Sequence, residues 1–362
     1  MTELYLVNLN VNSDRRVDDP TSVLSPAFQD LSFKSRFALN CALLDSLSEN
    51  NQTLFALQEA NDVARDSLKD FFEKKGLTVL TAKYANDPGA FNFIFAYNSE
   101  LYDLVDTSQL YYTESGLSTS PEDRKALSKE EKVKRHLGTE FEKSVQLVRL
   151  RHKATGKEML VANTHPGLEM KHRIAAMNKL VDYLENEKGM IIGLGDFNQF
   201  DATIPEPTVY QEQVKILQDR GFQWASEGIS HVGMKTTFMG FPFDIFRFFN
   251  EADRAEYNAL IQDRNNLPQL REFFTRKIQE KNLSLYGGCL DAVFTRGLPE
   301  RASVNVSAFT MFQRSRIETT KIEDAKAIQD AFVQHFVKHP AEEAADPVTN
   351  SDHFALATKI SF

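Results

Sequence analysis

The stretch that most constrains the fold is residues 190–200, where an apolar run is followed by glycines and then by polar side chains. The run 190–192 is typical of a buried β-strand, and Asp196 and Asn198 follow at its carboxyl end. Because side chains two residues apart on a strand share a face, Asp196 and Asn198 are expected to point at one reacting group. Considered by itself, such a stretch is more often a strand followed by an Asp/Asn turn than a functional site.

The same arrangement, an apolar strand with polar groups at its end, recurs along the chain. Residue patterns predict strands at 4–12, 53–57, 77–84, 91–97, 144–151, 159–163, 290–294, 302–312 and 354–360. Helical periodicity predicts helices at 35–50, 62–75, 170–188, 208–220 and 322–337. The turn sequence at 86–89 predicts an antiparallel hairpin. This order of elements predicts an α/β or α+β sandwich whose polar strand ends meet in one cleft.

Composition sets limits on the class of protein. A chain of 362 residues that is 42% hydrophobic can bury the core of one large domain or of two. The net charge of −9 disfavours a protein that holds nucleic acid mainly by charge, although it leaves room for a nuclease. The amino terminus lacks the pattern of a signal peptide, and no apolar run has the length of a membrane span. We therefore expect a cytoplasmic protein without a transmembrane segment.

Two segments differ from the rest and are interpreted as insertions. Residues 114–141 are rich in charged side chains, which is typical of a solvated surface excursion. Residues 238–286 begin with a cluster of six phenylalanines and continue as a polar, helix-prone run. Such an aromatic cluster forms either an additional core or, less often, a surface that contacts membranes.

The polar residues at the strand ends are of the types that phosphoester hydrolysis requires. Glu59, Asp352, Asn8 and Asn10 offer hard oxygen ligands without a thiolate, which favours magnesium, or alternatively manganese, over zinc.

The remaining residues of this set suit the movement of protons and of water. His165 and His353 can donate to a phosphate oxygen, and Asp291 can orient a histidine. Asp196 and Asn198 can activate and place a water molecule. Attack of this water on phosphorus is the reaction that the set best supports.

The motifs resemble those of the endonuclease/exonuclease/phosphatase superfamily, whose fold is also called DNase I-like. They occur in that family's order: Leu6-Val-Asn8-Leu-Asn10, Leu57-Gln58-Glu59, Asn163-Thr-His165-Pro, Gly195-Asp196-Phe-Asn198, Leu290-Asp291-Ala-Val-Phe and Ser351-Asp352-His353, with Arg36 on the helix before the second motif. The resemblance spans residues 4–362. It implies one domain, 1–362, with insertions at about 114–141 and 238–286. The implied fold is a four-layered sandwich of two mixed, mainly antiparallel sheets flanked by helices.

The resemblance also implies a role for each of these residues. Glu59 would be the principal metal ligand, with Asn8 and Asp352 close to the metal. Asp196 would position or deprotonate the attacking water, and Asn198 would hold the phosphate. His353 would act on the phosphate with Asp291 as its partner, while His165 would contact a neighbouring phosphate oxygen. Asn10 completes the expected substrate-binding set.

Two departures from the family pattern concern the subfamily. Ala292 follows Asp291, which argues against an inositol polyphosphate 5-phosphatase, and Pro166 replaces the usual leucine after His165. The leading hypothesis is a magnesium-dependent phosphodiesterase acting on nucleic acid or a nucleotide. A phospholipid-directed phosphatase or sphingomyelinase-type phosphodiesterase is the alternative, and a catalytically inactive binding module is the third hypothesis.

Overall fold

The structure is a computed structural model of the chain. It describes residues 3–13, 32–49, 52–84, 91–112, 143–167, 170–198, 208–225, 249–262, 266–281, 291–312, 315–318, 353 and 355–362. Residues 114–141, most of the phenylalanine cluster, the helix predicted at 322–337 and Asp352 lie outside these ranges.

The described residues form thirteen strands and six helices. The strands are β1 (Glu3–Asn10), β2 (Thr53–Ala60), β3 (Thr78–Lys83), β4 (Asn92–Tyr97), β5 (Tyr102–Tyr111), β6 (Ser144–His152), β7 (Glu158–Thr164), β8 (Met190–Asp196), β9 (Gln223–Trp224), β10 (Asp291–Arg296), β11 (Ser303–Phe312), β12 (Ser315–Glu318) and β13 (Ala355–Ser361). The helices are α1 (Phe33–Ser46), α2 (Asp62–Lys74), α3 (Met170–Leu184), α4 (Thr208–Asp219), α5 (Glu251–Leu260) and α6 (Leu267–Lys281).

Helix α2 illustrates how local sequence sets these bounds. Asn61 caps its amino terminus, because its side chain accepts a hydrogen bond of 2.8 Å from the backbone N–H of Ala64. Ala64, Leu68 and Phe72 recur at four-residue spacing and are buried. Gly76 follows the helix with φ of 77°, a conformation that glycine adopts without steric cost. The helix predicted at 62–75 is therefore present.

The strands form two mixed sheets. The first has the order β12-β11-β13-β1-β2-β4-β3, and the second has the order β5-β6-β7-β8-β10-β9. Two pairings are parallel, β1 with β2 and β7 with β8, and the others are antiparallel. The predicted hairpin is present as β3 and β4, in which Thr78 pairs with Tyr97 and Lys83 with Asn92.

The two sheets pack face to face, with helices on their outer faces. The central core lies between the sheets and contains alternating residues of both, among them Leu6, Ala56, Val161 and Leu194. Helices α1 and α2 cover the outer face of the first sheet, while α3 and α4 cover that of the second. The predicted four-layered α/β sandwich is thus confirmed, as are its mixed, mainly antiparallel sheets.

The inward face of each central strand changes from apolar to polar toward the same end of the molecule. In β1, Leu4 and Leu6 lie in the central core, and Asn8 and Asn10 continue that face. The corresponding polar positions of the other strands are Gln58 in β2, Gln146 in β6, Asn163 in β7, Asp196 in β8 and Asp291 in β10. The two-residue period of a strand therefore carries these side chains between the sheets, at one end of the central core.

The structure corrects the expectation that all the polar residues terminate strands. Asp291 is the first residue of β10, and His353 precedes β13. Both reach the same end of the sandwich because their strands run antiparallel to β8 and β1, so that Asp291 pairs with Asp196. Strand β5 was not predicted, because it is an edge strand whose polar residues are mostly exposed.

The carboxyl-terminal part of the segment 238–286 forms α5 and α6. Phe249, the one residue of the phenylalanine cluster that is described, packs on Phe273 and Phe274 with ring centroids 5.2 and 6.1 Å apart. These rings belong to the central core, so Phe249 is a core residue. None of the described helices is long and apolar enough to cross a membrane.

Strands β7 and β8 approach each other closely at Gly195. Its φ is 152°, and a Cβ atom there would lie 1.9 Å from the carbonyl oxygen of Thr164. We expect Gly195→Ala to lower the free energy of unfolding by at least ~2 kcal/mol, because the strands must separate. Urea unfolding measures this loss.

The matched control is Gly221→Ala. Gly221 also has a positive φ, 75°, but a Cβ atom there meets nothing within 4 Å. This variant should lose only ~1 kcal/mol, the cost of the backbone conformation. Equal losses for the two variants would contradict the close approach at Gly195.

Candidate active site

Asp196 lies at the centre of the polar cluster. It is 2% exposed, and its Oδ2 atom is 3.3 Å from His165 Nε2 and 3.7 Å from His353 Nε2. The side-chain amide of Asn10 donates to the same oxygen over 3.0 Å. One buried carboxylate is therefore surrounded by groups that can donate hydrogen bonds.

Asn198 holds the other oxygen of this carboxylate. Its backbone N–H donates to Asp196 Oδ1 over 2.8 Å, and its Nδ2 donates to the carbonyl of Pro166 over 2.9 Å. Arg173, a buried residue of α3, donates to the carbonyl of Asn198. Helix α3 therefore fixes the turn that follows β8.

Among the described residues, three that are not glycine have positive φ, and all lie near the site: Asn12 at 42°, Glu59 at 57° and Asn198 at 50°. This conformation is uncommon for non-glycine residues and is held only where neighbouring contacts compensate its cost. At Asn12 the contact is Arg36, which is fully buried and donates to the carbonyl over 2.6 Å. Arg36 and Arg173 thus stabilise equivalent turns beside the two sheets.

Glu59 lies at a break in the register of β2. The pairing of β2 with β4 shifts between Leu57 and Ala60, as at a β-bulge. The backbone N–H of Glu59 donates to the hydroxyl of Tyr84 over 2.6 Å, and its carbonyl accepts from the N–H of Ser13 over 3.1 Å. The Glu59 side chain is 22% exposed, and its Oε1 lies 3.5 Å from His165 Nε2. The bulge therefore directs one carboxylate toward both solvent and His165.

His353 and Asp291 form a hydrogen-bonded pair. Their Nδ1 and Oδ2 atoms are 2.8 Å apart, and both residues are buried. Asn8 Nδ2 donates to the other oxygen of Asp291 over 3.3 Å. Because the ring is held through Nδ1, its Nε2 atom faces Asp196.

Buried amides connect the two sheets behind these residues. Gln58 Nε2 donates to Asn8 Oδ1 over 2.7 Å and to Asn163 Oδ1 over 2.6 Å. Asn163 Nδ2 in turn lies 3.3 Å from Gln146 Oε1. The line from Gln146 to His353 therefore crosses between the sheets from Asn163 to Gln58 and again from Asn8 to Asp291, and so ties the sheets together at the site.

Burial and neighbouring groups set the charges of the site. Burial lowers the pKa of His165 well below its usual value, and Lys143 acts in the same direction. The imidazole is therefore neutral at neutral pH. Burial alone would raise the pKa of Asp196, but His165, His353 and the hydrogen bonds from Asn198 and Asn10 outweigh it, so this pKa is lowered. Asp196 is ionised, and the neutral His165 meets it as a hydrogen-bond donor.

The structure brings most of the sequence-predicted residues into this one region. Asn8, Asn10, Glu59, His165, Asp196, Asn198, Asp291 and His353 are linked by the contacts given above, while Asp352 lies outside the described residues. The described residues contain no group of three His, Cys, Asp or Glu side chains arranged to hold a metal ion.

Sequence reasoning did not find Tyr84 and Lys143, which contact His165. Neither residue has the pattern of a polar strand end. Tyr84 follows β3 and resembles a core aromatic, and Lys143 precedes β6 at the end of a charged segment.

No family model and no curated protein sequence gives a significant match to the chain. Solved structures match it along its whole length. An endonuclease/exonuclease/phosphatase family protein from Bacteroides thetaiotaomicron is 14% identical, with a TM-score of 0.54, over 100% of this chain and 98% of that chain. An endonuclease/exonuclease/phosphatase from Bacteroides vulgatus is 12% identical, with a TM-score of 0.55, over 100% of both chains.

A mannosyl-6-phosphatase from Bacteroides thetaiotaomicron is 14% identical, with a TM-score of 0.52, over 99% of this chain and 100% of that chain. Structural similarity at sequence identities of 12% to 14% establishes the fold. The resemblance noted in the sequence motifs is thus confirmed at this level, and the chain has the endonuclease/exonuclease/phosphatase, or DNase I-like, fold.

Proposed function

We propose that this protein is a magnesium-dependent phosphoesterase, a phosphodiesterase that hydrolyses nucleic acid or a nucleotide by attack of water on phosphorus. The observation that carries the proposal is the position of the ionised Asp196 between His165 and His353, within 3.3 and 3.7 Å of their Nε2 atoms. A carboxylate that can accept a proton from water, next to two imidazoles that can donate to oxygen, suits hydrolysis of a phosphoester.

Each residue has a defined task in this reaction. Asp196 positions the attacking water and accepts its proton, while the Asn198 N–H holds the carboxylate in place. The water oxygen bonds to phosphorus as the ester P–O bond breaks, and the leaving oxygen takes up a proton from solvent. Asn10 and Asn198 contribute amide groups for the phosphate oxygens. His353 donates from Nε2 to the phosphate, because Asp291 accepts the hydrogen bond at its Nδ1. His165 donates from Nε2 to a neighbouring oxygen.

The oxygen donors of the site suit magnesium, with manganese as the alternative. Glu59 offers a solvent-accessible carboxylate on a strained turn, and magnesium is commonly held by one or two carboxylates together with water and substrate phosphate. Asp352 is the proposed second carboxylate. Asn8 is a less direct ligand, because its Oδ1 already accepts from Gln58. When bound, magnesium would stabilise the negative charge that develops on the phosphate oxygens.

A phospholipid-directed esterase remains the alternative. The acidic balance of the chain and the phenylalanine-rich segment favour it, but Phe249 packs inside the central core and so offers no support for a membrane-contacting surface. An inactive binding module is disfavoured, because a protein without catalysis has no need to keep all five of Glu59, Asp196, Asn198, Asp291 and His353. The proposal of one domain with insertions at about 114–141 and 238–286 is retained.

A substrate panel tests the proposed substrate class. We expect faster magnesium-dependent hydrolysis of bis(p-nitrophenyl) phosphate than of p-nitrophenyl phosphate, followed by cleavage of DNA, RNA or a nucleotide diester. Phosphoinositides, sphingomyelin vesicles and mannose 6-phosphate are included as competing substrates. Preference for one of these, with no cleavage of nucleic acid or nucleotides, would contradict the proposed substrate while retaining the reaction.

Removal of the metal provides a separate test. Excess EDTA should abolish hydrolysis, and added magnesium or manganese should restore it, because the proposed reaction needs a cation beside Glu59. Calcium chelation with EGTA in the presence of magnesium is the control and should leave the rate unchanged. Full activity in EDTA would refute the metal assignment.

Substitution of the central residues should separate catalysis from folding. Asp196→Asn, His353→Gln and Glu59→Gln should each lower kcat by about two orders of magnitude, as loss of a positioned acid, base or stabilising group does. The matched controls lie outside the site: Asp106→Asn and Glu100→Gln at exposed residues, and His152→Gln at a half-buried one. All three should retain the wild-type rate. Circular dichroism checks that each variant folds. A folded site variant with wild-type kcat removes that residue from the mechanism.

A further inference from the structure

Tyr84 connects two residues of the candidate site. Its hydroxyl oxygen lies 2.6 Å from the backbone nitrogen of Glu59 and 3.0 Å from His165 Nδ1. The residue is 3% exposed, so these groups meet away from bulk water. A buried hydroxyl between a backbone donor and an imidazole has few possible arrangements of its single proton.

The direction of each hydrogen bond follows from which groups can donate. The backbone N–H of Glu59 can only donate, so the Tyr84 oxygen is the acceptor of that bond. Among the described residues, His165 Nδ1 is the acceptor within hydrogen-bond distance of the phenolic proton, and leaving this buried proton unpaired would be costly. Donation to Nδ1 makes that nitrogen the acceptor, without a proton of its own. A neutral imidazole with an unprotonated Nδ1 carries its proton on Nε2. That atom is the one that faces Asp196 and Glu59.

The position of Tyr84 is determined by both sheets. Its backbone N–H donates to the carbonyl of Phe91 over 2.9 Å, closing the β3–β4 hairpin. Its carbonyl accepts from the hydroxyl of Ser144, at the start of β6, over 2.9 Å. The ring packs against Phe93 with centroids 4.2 Å apart. Tyr84 is therefore held rigidly enough to orient the ring that it contacts.

Lys143 approaches His165 from a different direction. Its Nζ lies 3.3 Å from both ring nitrogens, and it also lies 5.0 Å from the centre of the Tyr84 ring. Equal distances place Nζ over the face of the imidazole, since an approach in the ring plane would bring it against Cε1. Lys143 therefore leaves the in-plane position at Nδ1 to the Tyr84 hydroxyl.

We propose that Tyr84 is a positioning residue that fixes His165 as the Nε2-protonated tautomer, so that His165 acts in the site only as a hydrogen-bond donor. The importance of this tautomer for catalysis rests on the proposed function, but the tautomer itself does not. The pairing differs from that of His353, which is oriented through Nδ1 by the carboxylate of Asp291. A hydroxyl adds no negative charge beside Glu59 and Asp196.

The tautomer can be observed without substrate or metal. Long-range ¹H–¹⁵N spectra of the full chain, labelled with ¹⁵N-histidine and kept in EDTA, distinguish protonated from unprotonated ring nitrogens. The resonances of His165 are assigned by their loss in His165→Gln. We expect a protonated Nε2 and an unprotonated Nδ1 in the wild type, and a mixture of tautomers in Tyr84→Phe.

The matched control is Tyr97→Phe. Tyr97 is also buried and belongs to the same hairpin, but it pairs with Thr78 at the opposite end from Tyr84. This variant should leave the His165 resonances unchanged. A wild-type His165 protonated at Nδ1, or an unchanged tautomer in Tyr84→Phe, would overturn the proposal.

A double-mutant cycle tests whether Tyr84 acts through His165. Tyr84→Phe should lower kcat on the order of 10- to 100-fold with KM unchanged, as loss of a residue that orients a functional histidine does. In the His165→Gln background the same substitution should have no further effect on kcat. Additive losses would show that Tyr84 acts through Glu59 and would overturn the proposed role.

The two readouts keep this inference separate from the proposed function. The expected spectra from a protein that hydrolyses none of the phosphoesters would support the tautomer assignment and refute the phosphoesterase. Magnesium-dependent hydrolysis by a protein whose His165 is protonated at Nδ1 would support the phosphoesterase and refute the tautomer assignment.

Discussion

The hydrogen bond from Gln58 Nε2 to Asn163 Oδ1, 2.6 Å long, is the constraint on which the site depends. It joins β2 of one sheet to β7 of the other, and both amides are fully buried. Buried amides are costly unless paired, and this bond pairs the Gln58 amide nitrogen with the Asn163 amide oxygen across the two sheets. Glu59 and His165 follow within two residues of these amides. The distance between Glu59 and His165 is therefore set by the packing of the sheets.

The backbone at the site is strained, and neighbouring side chains compensate for this strain. Asn12, Glu59 and Asn198 all have positive φ, and each contacts a buried group of another element through its backbone. These groups are Arg36, Tyr84 and Arg173. Such strain persists only where the surroundings determine the conformation, and it concentrates at functional sites. Rigid turns of this kind suit a site that must hold a water molecule and a phosphate in fixed positions.

Much of the fold could be predicted because the central strands are apolar, and apolar runs can be recognised from neighbouring residues in the sequence. The hairpin β3–β4 and helix α2 were predicted nearly to their ends. Strand β5 was missed because its mostly exposed residues carry no apolar period. Asp291 and His353 were expected at strand ends, yet both stand before or at the start of antiparallel strands. Residue order shows where each strand begins but not how it pairs, so it could not show that antiparallel pairing brings both residues to the end of the sandwich that holds Asp196.

The sequence by itself determined which side chains are polar within apolar strands, and the two-residue period of a strand places them on the face shared with the core. Asn8, Asn10 and Asp196 could be identified in this way. Only the tertiary structure decided which of these side chains meet, because contacts between residues distant in the chain depend on how two sheets pack. Tyr84 illustrates the difference. Its aromatic ring and its place at the end of an apolar run suggest a core residue. Only the folded chain brings its hydroxyl between Glu59 and His165.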